Sequence, residues 1–224
     1  MSAFHIRDEA LPEDAEFILE AFDSTLPHLA SIGSGAQWGS EPRSKNESSV
    51  KRIRGAVEKA RSGTSDSDAV FVAEVPVDDG LVPVGGRTRR DKDNQQMLQV
   101  GAAVVEGSFP AYVADQQQLA ARVQAAVERA DYIYLFVMIS DFRVGALRKG
   151  AGAALAQRVR QYALEKGKTA VYVDCWSGNG ERLVEFYKSQ GYVPVDDFQG
   201  KKDDGSIWHG KLLRLDLDES ISHE

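Results

Sequence analysis

The stretch ALRKGAGAALAQRVRQYALEKG, residues 146–167, sets the fold. Its front half is basic and small: Arg148, Lys149, Gly150, Ala151, Gly152 and Ala153. Behind it Ala151, Leu155, Val159 and Tyr162 or Ala163 recur at helical spacing, and Gly167 ends the run. The first turn of a helix carries N–H groups with no intrahelical partner at the positive end of the helix dipole. With no bulky side chain there, a phosphate can reach the backbone, and Arg148 and Lys149 add charge.

Two hydrophobic runs flank this helix. YIYLFVMIS (132–140) is nearly continuous in apolar residues, which predicts a strand buried on both faces. TAVYVDCW (169–176) predicts a second buried strand. A P-loop would need a Lys and a hydroxyl after Gly150, where Ala151 and Gly152 stand. A dinucleotide fingerprint is approached by Gly150-x-Gly152 and by Asp174 at the end of the next strand. Leu155 occupies the place of its third small residue, and the strand-to-turn connection is long for that motif. An alanine-rich helix packed closely on a sheet is the reading that needs no ligand.

Further out, AFHIR (3–7) predicts a short strand, Pro12 to about Leu29 an amphipathic helix, and SIGSGAQWGSEP (31–42) a loop containing Trp38. Residues 47–62 predict a helix with a basic face, and AVFVAEV (69–75) and MLQVGAAVV (97–105) predict strands. The long connection between those strands holds Arg87, Arg89 and Arg90, either a phosphate contact or a solvated tract. Residues 112–129 carry Val113, Leu119, Ala120, Val123, Ala126 and Val127, which predicts one helix. SGNGERLVEFYKSQGY predicts a turn and a short helix stopped by Gly191, and WHGKLLRLDL predicts a last strand. This order describes one α/β or α+β domain, residues 1–224, built on one sheet.

The 224 residues are 42% hydrophobic and 27% charged, ordinary for a soluble globular chain that can bury a core. No apolar run approaches the ~20 residues of a membrane span, and the acidic start lacks the features of a secretory signal, so a cytoplasmic protein without a membrane partner is expected. A net charge of −7 disfavours nucleic acid as a partner. Cys175 is the single cysteine, and His5, His28, His209 and His223 are scattered, so no metal site is expected.

The run from 132 to 195 holds, in order, the buried strand, the basic Gly-x-Gly turn, the long helix, the second strand, Asn179, and Leu183-Val184-Glu185-Phe186-Tyr187-Lys188-Ser189-Gln190-Gly191-Tyr192. Together these resemble the GNAT superfamily of N-acetyltransferases. The family pattern is a Gln/Arg-x-x-Gly-x-Gly/Ala turn, a later Asn, and an aliphatic-Tyr-x-x-x-Gly-Phe ending. Tyr187 to Tyr192 matches that ending, with Tyr192 for Phe, whereas Leu147 stands at the Gln/Arg position.

The resemblance implies a mixed, mostly antiparallel sheet flanked by helices, with a splayed central strand pair. It divides the chain into an acceptor-side half over about 1–110, an inserted helix over about 112–129, and a CoA-binding core over about 131–195. It implies acetyl-CoA as co-substrate, with Arg148, Lys149, Gly150, Ala151, Gly152 and Ala153 at the pyrophosphate. Val137, Met138 and Ile139 would lie along the pantetheine arm, Asn179 would touch the cofactor, and Tyr187 would protonate the departing thiolate. His28 and Trp38 flank the loop where the acceptor enters in the family, with core packing as the competing reading. The implied reaction is direct attack of a primary amine of a small molecule, by a monomer or homodimer. A non-catalytic CoA-binding or regulatory module is the alternative, motivated by Leu147.

Direct attack needs a neutral amine, and a lysine-like amine of pKa ~10.4 is neutral in about one molecule in two thousand at pH 7. A carboxylate can take the proton. Glu74, Glu106, Asp141 and Asp174 lie in or at the ends of expected strands, and Glu74 and Glu106 stand out as acids within apolar runs. A strand-end carboxylate facing solvent is the competing reading for each.

Overall fold

A computed structural model describes residues 4–78, 80–202 and 205–217; Ala3 of the expected first strand and His223 lie outside them. The chain runs β1 (His5–Arg7), α1 (Asp14–Ser31), α2 (Glu47–Ser62), β2 (Ala69–Pro76), β3 (Thr88–Arg90), β4 (Gln96–Glu106), α3 (Ala111–Ala114), α4 (Ala120–Arg129), β5 (Tyr132–Ser140), α5 (Ala151–Glu165), β6 (Ala170–Trp176), α6 (Arg182–Ser189), β7 (Val193–Lys201) and β8 (Ile207–Asp216). The strands follow the order β1-β2-β4-β5-β6-β8-β7, with β3 on β4. The chain divides into two compact units. The first runs to Val104 and again over Val137–Arg158; the second covers Val105–Phe136 and continues from Val159.

In the first unit β1 lies antiparallel to β2, His5 opposite Glu74, and β3 lies antiparallel to β4, Thr88 opposite Leu98. α1 buries Ala15, Phe17, Ile18, Leu19, Ala21 and Phe22, and packs on α2, which buries Ile53, Ala56 and Val57. Each large side chain so buried contributes about 1.5–3 kcal/mol. α2 starts where Asn46 accepts a hydrogen bond from the Ser49 N–H at 2.9 Å, and it stops at Gly63 in the left-handed region. Gly101 of β4 is dictated by closeness, since a Cβ there would lie 2.8 Å from the Ile139 carbonyl oxygen of β5.

In the second unit β5 and β6 run parallel from Tyr132 opposite Ala170 to Leu135 opposite Val173. That ladder stops there, while β5 continues to Ser140 and β6 to Trp176. β6 keeps its antiparallel ladder with β8 along its whole length, from Ala170 opposite Asp216 to Trp176 opposite Gly210. β7 pairs antiparallel with β8, with a register shift between Pro194 and Asp196. The sheet is therefore mixed and mostly antiparallel, flanked by helices, as expected.

Alternation along β5 and β6 sorts their side chains to two faces. One face carries Tyr132, Tyr134, Ala170 and Tyr172, buried with Phe109, Val113, Leu119, Val123, Ala126, Phe198 and Leu212. The other carries Val171, Val173 and Cys175, on the side where α6 buries Val184 and Tyr187.

The segment expected as one helix over 112–129 is two. At about 100° per residue, Val113 and Leu119 fall on different faces of a continuous helix. Breaking it after Ala114 lets both enter the same core at 0% exposure. Val127, expected on the apolar stripe, is 53% exposed. The side chains of Gln116 and Gln118 donate to the carbonyls of Gln199 and Asp197 and tie the break to β7.

Candidate active site

The phosphate-type turn of the first unit is built by charge pairing around its entry. Asp141, fully buried, accepts from the Arg143 N–H at 2.9 Å and from the Arg143 guanidinium at 2.8–3.1 Å. The Asp141 N–H in turn donates to the Val100 carbonyl at 2.9 Å. A 3₁₀ turn over Phe142–Arg148 follows, broken at Gly145 (φ 58°, ψ −124°). Gly150 then takes φ 91°, which L side chains rarely adopt, with the Phe4 ring 3.3 Å from where a Cβ would stand. α5 starts at Ala151, so the leading N–H groups of its first turn have no intrahelical acceptor.

Around those N–H groups Ala151 is buried, Gly152 half-buried, and Lys149 and Ala153 exposed. The Arg148 guanidinium lies 3.7 Å from the centroid of the Phe142 ring. Its Nε is buried with no hydrogen-bond partner among the described residues. Leu147 is 44% exposed. This arrangement suits a phosphate: backbone donors, a helix start and two cationic side chains.

The alternative phosphate contact, the Arg87–Arg90 tract, is engaged elsewhere. Arg87 forms a two-pronged pair with Glu20 at 2.6 and 2.7 Å, and Arg89 does the same with Glu74. Arg90 donates to the Asn94 carbonyl at 2.8 Å. Arg143 also reaches Glu20, at 2.6 Å. Hydrogen bonds from Arg87, then from Arg143, hold the Glu20 carboxyl down at about 2, against the opposing effect of burial.

Glu74 is 0% exposed and sits between guanidiniums: Arg7 Nε at 3.2 Å, and Arg89 at 2.7 and 2.6 Å. Arg7 is shared with Asp14, also 0% exposed, at 2.6 and 3.0 Å. These are the surroundings of a structural ion-pair network, in which every charge has a countercharge. Glu106, at the end of β4, is 5% exposed. Met138 on β5 is half-buried, while Val137 and Ile139 are buried.

His28 is exposed and stacks on Phe142 at 4.6 Å between ring centroids. Trp38 packs edge-on against Phe22 at 5.5 Å, under the Arg43 guanidinium.

In the second unit Asn179, Gly180 and Glu181 take φ of 52°, 66° and 58° in succession. Asparagine is among the few residues that tolerate this region, and Glu181 is held there by Lys211 at 2.9 Å. The turn delivers α6, which buries Tyr187 at 5% exposure between the rings of Phe186 and Tyr192. Burial, then the nearness of Cys175 and Tyr192, pushes the Tyr187 phenol well above its ordinary value, so it stays protonated. Burial also pushes the Cys175 thiol up, which suits a small packing residue and not a nucleophile.

Asp174 is the carboxylate whose setting a sequence cannot show. It stands on β6 immediately beyond Val173, where the ladder with β5 stops. The hydroxyl of Tyr112 on α3 donates to its Oδ1 at 2.9 Å, and that of Tyr134 on β5 donates to the same oxygen. No arginine or lysine pairs with it among the described residues. Although part of its surface is open, close packing desolvates the carboxyl and holds its pKa above the ordinary range, against the pull of the two hydroxyls.

The shallow depression lined by Ser44, Lys45, Glu47, Val50, Lys51 and Arg54 includes none of these residues. Among the described residues no group of His, Cys, Asp or Glu is placed to hold a metal. No described helix is long and apolar enough to cross a membrane.

No family model and no curated protein matches the sequence. Solved structures do resemble it. An N-acetyltransferase from Staphylococcus aureus is 19% identical with a TM-score of 0.57, covering 97% of this chain and 100% of its own. A GCN5-related N-acetyltransferase from Kribbella flavida is 16% identical with a TM-score of 0.53, covering 96% and 98%. A GNAT-superfamily phosphinothricin acetyltransferase from Sinorhizobium meliloti, in complex with acetyl-CoA, is 14% identical with a TM-score of 0.54, covering 100% and 93%. The chain has the fold of the GNAT acetyltransferases.

Proposed function

We propose that this protein is an acetyl-CoA-dependent N-acetyltransferase that acetylates a primary amine of a small molecule by direct attack. The observation that carries the reading is the glycine turn Arg148–Ala153, which opens α5 directly after a strand whose parallel ladder stops short, in a GNAT fold. In the first unit the N–H groups of Gly150 to Ala153, with Arg148 and Lys149, hold the pyrophosphate. The backbone of Val137, Met138 and Ile139 lies along the pantetheine arm, and His28 and Trp38 line the acceptor's approach. In the second unit Asn179 contacts the cofactor, and Tyr187 hands its proton to the thiolate. A thiolate in the same dry surroundings has a raised proton affinity, which suits a phenol of high pKa.

Arg148 has the chemistry to meet a phosphate at this turn. Its buried Nε has no hydrogen-bond partner among the described residues, and a phosphate at the turn supplies an acceptor for that guanidinium.

Acetyl-CoA mixed with the protein and a panel of small primary amines, followed by thiol release, tests the reading. Release above the hydrolysis background with at least one amine, and an acetamide of the matching mass, is expected. Tight acetyl-CoA binding with no release across a broad panel would favour the non-catalytic module, for which exposed Leu147 at the family's Gln/Arg position speaks.

A further inference from the structure

We propose that Asp174, presented by Tyr112 and Tyr134, is the proton acceptor for the amine, and that the inserted α3–α4 segment exists to complete this group. The proposal rests on the acetyltransferase reading above and names the acceptor class as a small cationic amine.

Phe109, Val113, Leu119, Val123 and Ala126 are buried with Tyr132, Tyr134 and Tyr172 on one face of β5 and β6. That packing brings Tyr112, 45% exposed, over the end of β6. Its hydroxyl reaches Asp174 across 62 positions of sequence. Both tyrosine hydroxyls fall on Oδ1, and no side chain donates to Oδ2 among the described residues. A purely structural carboxylate would be expected to resemble Glu74, with both oxygens on guanidiniums. Asp174 instead carries a charge that a cationic amine can complete.

The faces of β6 add a second observation. Asp174 points with Tyr172 toward the inserted segment, whereas the next residue, Cys175, points to the side where Tyr187 lies. Acceptor and donor of protons thus stand on opposite faces of one strand, so the two proton transfers use separate groups.

The step balances as follows. The ammonium gives one proton to Asp174 Oδ2. The neutral nitrogen attacks the thioester carbonyl carbon, the N–C bond forms and the C–S bond breaks. The sulfur takes the Tyr187 proton, the second nitrogen proton restores the phenol, and the proton on Asp174 leaves to solvent. The products are acetamide, CoA thiol and one proton.

Asp174→Asn is the test, with Tyr112→Phe as a variant that removes one hydroxyl from an exposed ring. Turnover with an accepted amine should fall about 10²–10⁴-fold in Asp174→Asn, with acetyl-CoA affinity unchanged. In Tyr112→Phe turnover survives, but its acid limb moves to higher pH, because the lost hydrogen bond had stabilised the carboxylate. The other titratable groups near Asp174 are Tyr134, Cys175 and Tyr187, with Lys211 beyond Cys175 held by Glu181 and Asp197. Burial holds the phenols and the thiol neutral, so a limb on the acid side belongs to Asp174. Near-normal turnover in Asp174→Asn, or an unmoved limb in Tyr112→Phe, overturns the proposal while the acetyltransferase reading stands. A wild-type protein that binds acetyl-CoA but acetylates no amine overturns both.

Discussion

Three carboxylates of the first unit and Asp174 of the second are met by different partners. In the first, Asp14, Glu74 and Asp141 are 0% exposed, and each is met by arginine: Arg7, Arg7 with Arg89, and Arg143. In the second, Asp174 is met by two phenols. A guanidinium fixes a carboxylate as an ion and uses its lone pairs; a hydroxyl satisfies one oxygen and leaves the charge uncompensated. The same residue type is thereby a strut in one place and a proton acceptor in waiting in the other. Titratable groups of the second unit should govern rate, and those of the first should govern stability.

The largest expected effect is on rate. Tyr187→Phe keeps the ring between Phe186 and Tyr192 and removes only the hydroxyl, so turnover should drop by about 10²–10⁴-fold while the melting temperature changes little. Near-normal turnover would show that water or the product amine protonates the thiolate.

Next in size is a loss of stability from the first unit. Glu74→Ala leaves Arg7 and Arg89 without their shared partner and should cost about 3–5 kcal/mol, or ~6–20 °C in melting temperature for a chain of this size. Glu74→Gln separates the roles: a variant that stays folded but loses turnover a hundredfold would move Glu74 into the chemistry and break the contrast between the units. Asp174→Asn should melt at or above the wild-type temperature at neutral pH. The folded-state pKa of Asp174 is raised, so its charge costs stability once pH rises through that window, and the amide removes the cost.

The smallest effect concerns Glu20. Its pairing with Arg87 and Arg143 is fully present above about 4.5 and is lost as pH falls toward 2. Because Glu20 is 36% exposed, screening limits the contribution to about 1 kcal/mol. Acid unfolding followed by circular dichroism should show Glu20→Gln destabilised at pH 6 and converging on wild type near pH 2.

Local pattern made much of this legible. The strand expected at 132–140 is β5, and the helix behind the glycine turn is α5, because continuous apolarity and helical spacing are written within a few residues. β7 escaped, since VPVDDFQGK is charged and largely exposed and exists by pairing with β8. β3 escaped for the same reason, being three residues inside a polar connection. At the candidate site, the small residues of the turn were readable from spacing. The surroundings of Glu74 and Asp174 were not, because Arg7 lies 67 positions before one and Tyr112 lies 62 before the other. An acid among apolar neighbours reads alike in both cases; only the fold decides whether arginine or tyrosine answers it.

Acetyl-CoA has to meet the start of α5 for the proposed chemistry, and thermal denaturation with and without the cofactor measures this most directly. At a hundredfold excess over the dissociation constant, wild type should melt ~5–10 °C higher. Gly152→Glu, which sets a carboxylate where the pyrophosphate belongs, should melt near the unliganded wild type and show no shift. No shift in wild type at millimolar acetyl-CoA, or an equal shift in both proteins, would contradict the account.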